Sequence, residues 1–219
     1  MKLSKRLSAI FDMFSGEVAA DVGSDHGKLI ISLYEEGKIK KGYAIDNKVG
    51  PFSRLKKEIE KHNILNNVIP MLSDGISELP EDVDSVIIAG MGGHLIIKIL
   101  ESHKDKLTNV KNIFVDAHNG LYEVRKSISN LGYHIYKEEI LLEDDIYYEI
   151  IAFEKGESPE LSEDEYEYGP ILLKEKNNVF IHKHRDRIYQ IEKILSEENI
   201  PEARKESLLK EKRRLESII

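Results

Sequence analysis

Val18-Ala19-Ala20-Asp21-Val22-Gly23-Ser24-Asp25-His26-Gly27 reads as an apolar strand running straight into a glycine turn, and Asp46 closes the next strand-like run. A buried strand that delivers small residues to a helix start leaves backbone N–H groups free. An acid ending the neighbouring strand can accept from both hydroxyls of a ribose. The pairing points to a nucleoside cofactor and puts the chemistry at the ends of the first strands.

Outward from this stretch, apolar runs alternate with helical patterns. Residues 18–22, 43–45, 68–71, 83–89 and 113–115 are predicted strands. Between them, Leu29, Ile30 and Leu33, then Phe52, Leu55 and Ile59, then Leu95, Ile96, Ile99 and Leu100, recur at helical spacing. This is a βαβ series, and so a parallel sheet covered on both faces. Upstream, Leu3, Leu7, Ile10, Phe11 and Phe14 predict a short amphipathic helix with Arg6 facing away from the stripe. Val124, Ile128 and Leu131 carry a further helix that Asn130-Leu131-Gly132 stops. Residues 133–142 and 146–153 are joined only through Glu143-Asp144-Asp145, too short for a helical crossover, so they are expected to pair antiparallel. A parallel sheet finishing in such a hairpin is the pattern of class I methyltransferases, whereas a dinucleotide-binding fold continues with parallel strands.

At 219 residues the chain exceeds the usual single-domain size, and 41% hydrophobic with 33% charged residues suits a globular protein with one unusually charged segment. It has no cysteine, which excludes disulfides, thiolate metal sites and a thiol nucleophile, and a reducing, cytoplasmic setting is expected. The first residues resemble a signal peptide, but Asp12 and Glu17 interrupt the apolar stretch, and no run approaches membrane-spanning length. No metal site is expected: His182 and His184 are two apart on a predicted helix and point in different directions.

Residues 154–169 are dense in acids and read as a surface connection. Beyond them, Ile181, Ile188, Ile191, Ile194 and Leu195, then Leu208, Leu209, Leu215 and Ile218, predict two antiparallel helices broken at Asn199-Ile200-Pro201. The expected division is residues 1–155 for the cofactor and residues 156–219 for an acidic linker and helical hairpin. The net charge of -8 argues against bulk attraction to nucleic acid. Its distribution matters more, because residues 170–219 hold 12 Lys and Arg against 9 Asp and Glu. Either this hairpin meets RNA, or it is a solvated pair of helices with mixed charge.

Asp21-x-Gly23-x-x-x-Gly27 is not the dehydrogenase Gly-x-Gly-x-x-Gly loop. A carboxylate at Asp25 would repel the pyrophosphate which that loop exists to hold. S-adenosyl-L-methionine has no phosphate, and its amino and sulfonium groups are positive, so acids at Asp21 and Asp25 suit it. Asp46 offers two oxygens to the ribose, or else caps the following helix. Asp74, in Ser73-Asp74-Gly75, accepts from an adenine amine, with Gly75 letting the base lie close, or the pair simply builds a tight turn. In Gly90-Met91-Gly92-Gly93 no side-chain acceptor stands where amino-directed methyltransferases carry one, which favours a ring nitrogen that already owns a lone pair. The three glycines admit a flat base and Met91 offers it a polarisable face, or the next helix packs closely there. His26 either bonds the cofactor or substrate, or is a polar residue at the rim.

Leu3-Ser4-Lys5-Arg6-Leu7, Ala20-Asp21-Val22-Gly23-Ser24-Asp25-His26 and Ala89-Gly90-Met91-Gly92-Gly93 together resemble the bacterial tRNA (adenine-22-N1)-methyltransferase family. Glu138-Glu139, Tyr147-Tyr148-Glu149-Ile150 and Tyr168-Gly169-Pro170-Ile171-Leu172 are similar to its later landmarks, so the match spans the chain. The resemblance implies a class I Rossmann-like domain followed by a small α-helical, coiled-coil-like domain, with tRNA as substrate and S-adenosyl-L-methionine as cofactor. Gly27-Lys28-Leu29-Ile30 stands where the family usually has Ala-Tyr-Leu-Pro. Asp116-Ala117-His118-Asn119 stands where it has Gln-Pro-Asn, so only Asn119 carries over.

Adenine N1 needs no base to become nucleophilic, so orientation is expected to dominate, with a carboxylate favoured as the base becomes cationic. Asp25 is the candidate for that carboxylate, and Asp25, Met91 and Asn119 form the expected catalytic set. The expected cofactor-binding set is Arg6, Asp21, Gly23, Ser24, Asp25, His26, Asp46, Asn47, Asp74, Gly75 and Gly90. Arg6 clamps the cofactor carboxylate or a tRNA phosphate, or is an exposed helix arginine. Lys183, Arg185, Arg187, Lys212, Arg213 and Arg214 are expected on backbone phosphates. Rival readings are a non-catalytic RNA-binding or scaffold protein that retains a cofactor site, a small-molecule methyltransferase, and a nicotinamide-dependent oxidoreductase whose phosphate loop is missing here.

Overall fold

The computed structural model describes residues 2–24, 26–157, 159–197 and 199–219. One sheet holds β1 (Val18–Val22), β2 (Lys41–Asp46), β3 (Val68–Leu72), β4 (Ser85–Met91), β5 (Asn112–Ala117), β6 (Tyr133–Glu143) and β7 (Ile146–Lys155). Their order is β3-β2-β1-β4-β5-β7-β6. All pairs are parallel except those of β7, which runs antiparallel to β5 and β6. The predicted alternation and terminal hairpin are both present. The chain turns from one half of the sheet to the other between β1 and β4, which opens a crevice at the carboxyl ends of these strands.

Helices α1 (Lys5–Met13), α2 (Lys28–Glu35) and α3 (Val49–Lys61) cover one face, and α4 (Gly93–Ser102) and α5 (Leu121–Asn130) cover the other. The first N–H groups of α1 are satisfied from two sides. The Ser4 hydroxyl accepts from the Leu7 amide at 3.3 Å, and Glu143 at the end of β6 accepts from the amides of Lys5 at 2.6 Å and Arg6 at 3.3 Å. Arg6 does not face away from the sheet. The buried residues of α1 are Ala9, Ile10 and Met13, and Arg6 stands one turn before them on the same face.

The acidic stretch is not a plain connection. β7 continues to Lys155, and α6 (Glu163–Tyr168) follows. Ser162 and Glu165 form a reciprocal capping box, three acids in the first turn suit the helix dipole, and Tyr168 is buried. Next come α7 (Pro170–Glu175), α8 (Asn178–Leu195) and α9 (Glu202–Ile218). Their apolar cluster includes Phe180, Ile191, Leu208 and Leu215, and reaches Ile140 of β6.

A buried ionic joint fastens these helices to the sheet. Arg125 of α5 donates to Glu138 at 2.9 Å, to Glu149 at 2.6 Å, and to the carbonyls of Tyr166 and Glu167 at 3.1 and 3.2 Å. Glu138 also accepts from the Ile171 amide at 2.9 Å, and Lys183 of α8 closes on Glu149. Arg125 and Lys183 hold Glu149 ionised, below the usual carboxylate range, against the opposing effect of burial.

Candidate active site

Of the parallel strands, β1, β2, β3 and β5 deliver an acid to the same edge, and β4 delivers glycine and Met91. The turn after β1 is shaped by Gly23 and Gly27, both in the left-handed region at φ +77° and +65°. The amides of Gly23 and Ser24 donate to the Ile45 carbonyl at 2.8 and 3.2 Å, which ties this turn to β2. Asp21 is buried and accepts from the Ser24 hydroxyl at 2.5 Å. Burial pushes its carboxyl up to about 6, with the Ser24 hydrogen bond acting in the other direction.

Two clefts open at this edge and share Gly23. The first, about 310 Å³, is walled by Arg6, Asp21, Ser24, His26 and Ala89 among others. The second, about 340 Å³, has Asp46, Asn47, Asp74 and Gly75 on its rim and Met91, Leu95 and Ile99 along its wall. Asp46 accepts from the Lys48 amide at 2.8 Å, and the Asn47 side-chain amide donates to Asp74 at 3.4 Å. Gly75 is required: its φ is +58°, and a Cβ there would stand 2.8 Å from Ile99. The Met91 methyl lies where a Cβ on Gly23 would point, on the wall of the second cleft.

β4 bulges between Ala89 and Met91, and Gly90 takes φ +75°. A Cβ on Gly90 would come within 3.0 Å of Arg6 Nη1. Arg6 in turn donates to Asp116 at 2.5 Å, with its guanidinium carbon 5.4 Å from the centre of the Tyr148 ring. Asn119 is held by its Oδ1, which accepts from the Gly93 amide at 3.1 Å, and His118 lies 6.5 Å from Tyr148, ring centre to ring centre.

Of the expected cofactor residues among those described, all but Gly90 therefore line two adjoining clefts at the edge where open α/β sheets bind ligands; Gly90 lines neither and stands against Arg6. Met91 stands with the Asp46 rim, and Asn119 with the β5 end. Asp25 lies outside the described residues. Reading the sequence did not single out Asp116 or Tyr148 as site residues. Asp116 carried the same signal as Asp46, an acid closing an apolar strand. His182 and His184 part as expected: His182 pairs with Tyr147 at the surface, while His184 is buried against Phe180. Among the described residues no group of His, Asp or Glu could hold a metal ion, and no helix is long and apolar enough to cross a membrane.

A sheet of this order with its antiparallel β7, a glycine turn after β1, acids closing β2 and β3 and no phosphate loop defines a class I methyltransferase. The comparisons narrow the class. The family described as tRNA (adenine(22)-N(1))-methyltransferase matches residues 19–218. A tRNA (adenine(22)-N(1))-methyltransferase of Bacillus subtilis (strain 168) is 32% identical over 202 residues, covering 89% of this chain and 84% of that protein. A candidate tRNA (m1A22) methyltransferase of Streptococcus pneumoniae, solved in complex with S-adenosyl-L-methionine, is 31% identical with a TM-score of 0.90, covering 99% of each chain. The M. capricolum protein solved with S-adenosyl-homocysteine is 27% identical with a TM-score of 0.85, again over 99% of each chain. The chain belongs to the tRNA (adenine(22)-N(1))-methyltransferase family.

Proposed function

We propose that this chain transfers the methyl group of S-adenosyl-L-methionine to N1 of adenine 22 in tRNA, with the nucleoside of the donor in the Asp46 cleft and its amino-acid end in the Arg6 cleft. The observation that carries this reading is the pair of clefts meeting at Gly23 and lined by Asp21, Asp46 and Asp74, acids that would repel a phosphate. The residues fit the donor chemically: Asp46 suits ribose hydroxyls, Asn47 and Asp74 suit the base edge, Asp21 suits an amine and Arg6 a carboxylate. When bound, the donor supplies an electrophilic methyl group on a sulfonium.

The chain's own task is placement. Met91, Leu95 and Ile99 offer an apolar wall, and Gly90 and Asn119 stand at the strand ends where the target base would be received. No residue need remove a proton from N1. Asp25 is assigned the carboxylate that favours the cationic product.

Residues 1–155 are assigned donor binding and residues 156–219 the RNA face. Of the six cations expected on phosphates, four are engaged internally: Lys183 with Glu149, Arg187 with Glu211, Lys212 with Glu192 and Glu216, and Arg214 with Asp164. Arg185 has no ion pair among the described residues. It shares an outward face of α8 with Tyr189, which is 70% exposed, and Lys193. Two cations spaced around an open aromatic ring suit an RNA strand.

Purified protein incubated with unmodified bacterial tRNA and labelled S-adenosyl-L-methionine is expected to place one methyl group at N1 of adenine 22, and none on tRNA with guanine there. Donor binding without transfer would support the scaffold reading. Methylation of free nucleosides at the same rate would support the small-molecule reading. Asp46→Ala is expected to weaken donor binding at least tenfold in calorimetry while the unfolding midpoint holds; unchanged affinity would move the nucleoside elsewhere.

A further inference from the structure

We propose that Asp116 is a positioning residue for the methyl donor: it anchors Arg6 so that the open side of the guanidinium receives the donor's carboxylate. The inference rests on the donor-binding reading above and adds a residue to it. Asp116 is the penultimate residue of β5 with its side chain fully buried, and one of its oxygens takes Arg6 Nη1 at 2.5 Å while the other has no partner among the described residues. A buried carboxylate is costly unless a cation meets it, and at Asp116 that cation comes from a helix 110 residues away in the chain.

Three further elements bear on the same arginine. Tyr148 of β7 lies against it at 5.4 Å, Gly90 of β4 leaves it room that a Cβ would take, and Glu143 of β6 holds the amide of Arg6 itself. So many constraints on one arginine suit a group that must be aimed. Among the described residues only one of its five N–H donors is engaged, by Asp116. The remaining edge presents a planar fork matching a carboxylate.

The location favours the donor over an RNA phosphate. The Arg6 side chain is only 24% exposed and walls the same cleft as Asp21 and Gly23. A cleft with a carboxylate on one wall and a guanidinium on another is complementary to an amino acid's ammonium and carboxylate. Asp116 also cancels the charge of Arg6, so a base becoming cationic nearby is not repelled.

The test uses two ligands that share a nucleoside and sulfur and differ in the amino-acid end. S-adenosylhomocysteine has the carboxylate, and 5′-methylthioadenosine lacks it. In calorimetry, Asp116→Asn is expected to weaken S-adenosylhomocysteine at least tenfold and to leave 5′-methylthioadenosine within twofold. Arg6→Lys, which keeps the charge and loses the fork, is expected to do the same. Equal weakening of both ligands would mean a merely structural role and overturn the proposal. So would unchanged affinity for both with a raised KM for tRNA, which would give Arg6 to a phosphate. Failure of the unaltered protein to bind either ligand would instead sink the donor-binding reading itself.

Discussion

Burial raises the Asp21 carboxyl to about 6 from its ordinary 3.8, the Ser24 hydroxyl opposing this, and so the folded protein holds that proton more tightly than the unfolded chain. Stability from this group is then complete below about pH 4 and falls as pH rises toward 6, by about 3 kcal/mol at 1.36 kcal/mol per pH unit. A buried carboxylate that destabilises the fold at neutral pH has to be explained by what it binds. Donor affinity is expected to rise as pH increases through about 6, because a cationic ligand favours the ionised form. Asp21→Asn should accept from Ser24 as before and remove the titration. Chemical denaturation is expected to find this variant more stable than the unaltered protein at pH 8, with the gap closing toward pH 4, while calorimetry finds its donor affinity lowered. A variant less stable at pH 8 would mean that the carboxylate is held by something beyond Ser24.

Among the elements, the turn from β4 into α4 separates what the sequence makes legible from what it hides. Its glycine run was open to two readings, close approach of a base or close packing of the next helix, and the two outer glycines divide between different tasks. Gly90 clears space for Arg6, whereas Gly93 packs: a Cβ on it would stand 2.5 Å from the Asn119 carbonyl oxygen and 3.0 Å from that of Gly120. The neighbouring turns are laced together by the His118 amide on the Met91 carbonyl at 2.9 Å and by the Gly93 amide on Asn119. Gly93→Ala is expected to cost about 1–3 kcal/mol in denaturation, as overpacking does, and to lower turnover by displacing Asn119. Turnover that survives with stability reduced would remove Asn119 from the catalytic set. The strands themselves were readable because a parallel sheet buried on both faces writes them as unbroken apolar runs. Their ends were not, since Lys41 and Asp116 extend β2 and β5 through pairing with neighbours, which local pattern does not encode. The α1 stripe holds, with Ile10 and Phe14 buried and Leu3, Leu7 and Phe11 packed against the core, but the sheet also takes Ala9 and Met13, which puts Arg6 on the covered side rather than the outer one. Helix α6 left a signal in Ser162 and Glu165 that the density of acids around it obscured.

Across the whole molecule, the joint at Arg125 makes the two parts of the chain difficult to study by cutting between them. A break after residue 155 would take the Ile171 amide from Glu138, the Tyr166 and Glu167 carbonyls from Arg125, and Lys183 from Glu149. Charges built to be buried would then meet water or each other, and the loss of RNA methylation would say little about RNA. Point changes at the joint are more informative. Arg125→Met leaves Glu138 with backbone amides but no cation and Glu149 with Lys183 alone, and removal of one partner from such a buried network costs about 3–5 kcal/mol. Changing Glu138 and Glu149 to Gln alongside Arg125→Met removes both buried carboxylates, leaves only the partly exposed Lys183 charged, and is expected to recover at least half of that loss. Denaturant midpoints of the single and triple variants, together with hydrogen exchange in α6 and α7, distinguish the cases. If the joint is held by charge, the single variant unfolds early and exchanges fast in α6 and α7, and the triple variant is slower in both respects. A single variant as stable as the unaltered protein would mean that apolar contacts such as Ile140 with Leu172 and Phe180 hold the helices on the sheet without it.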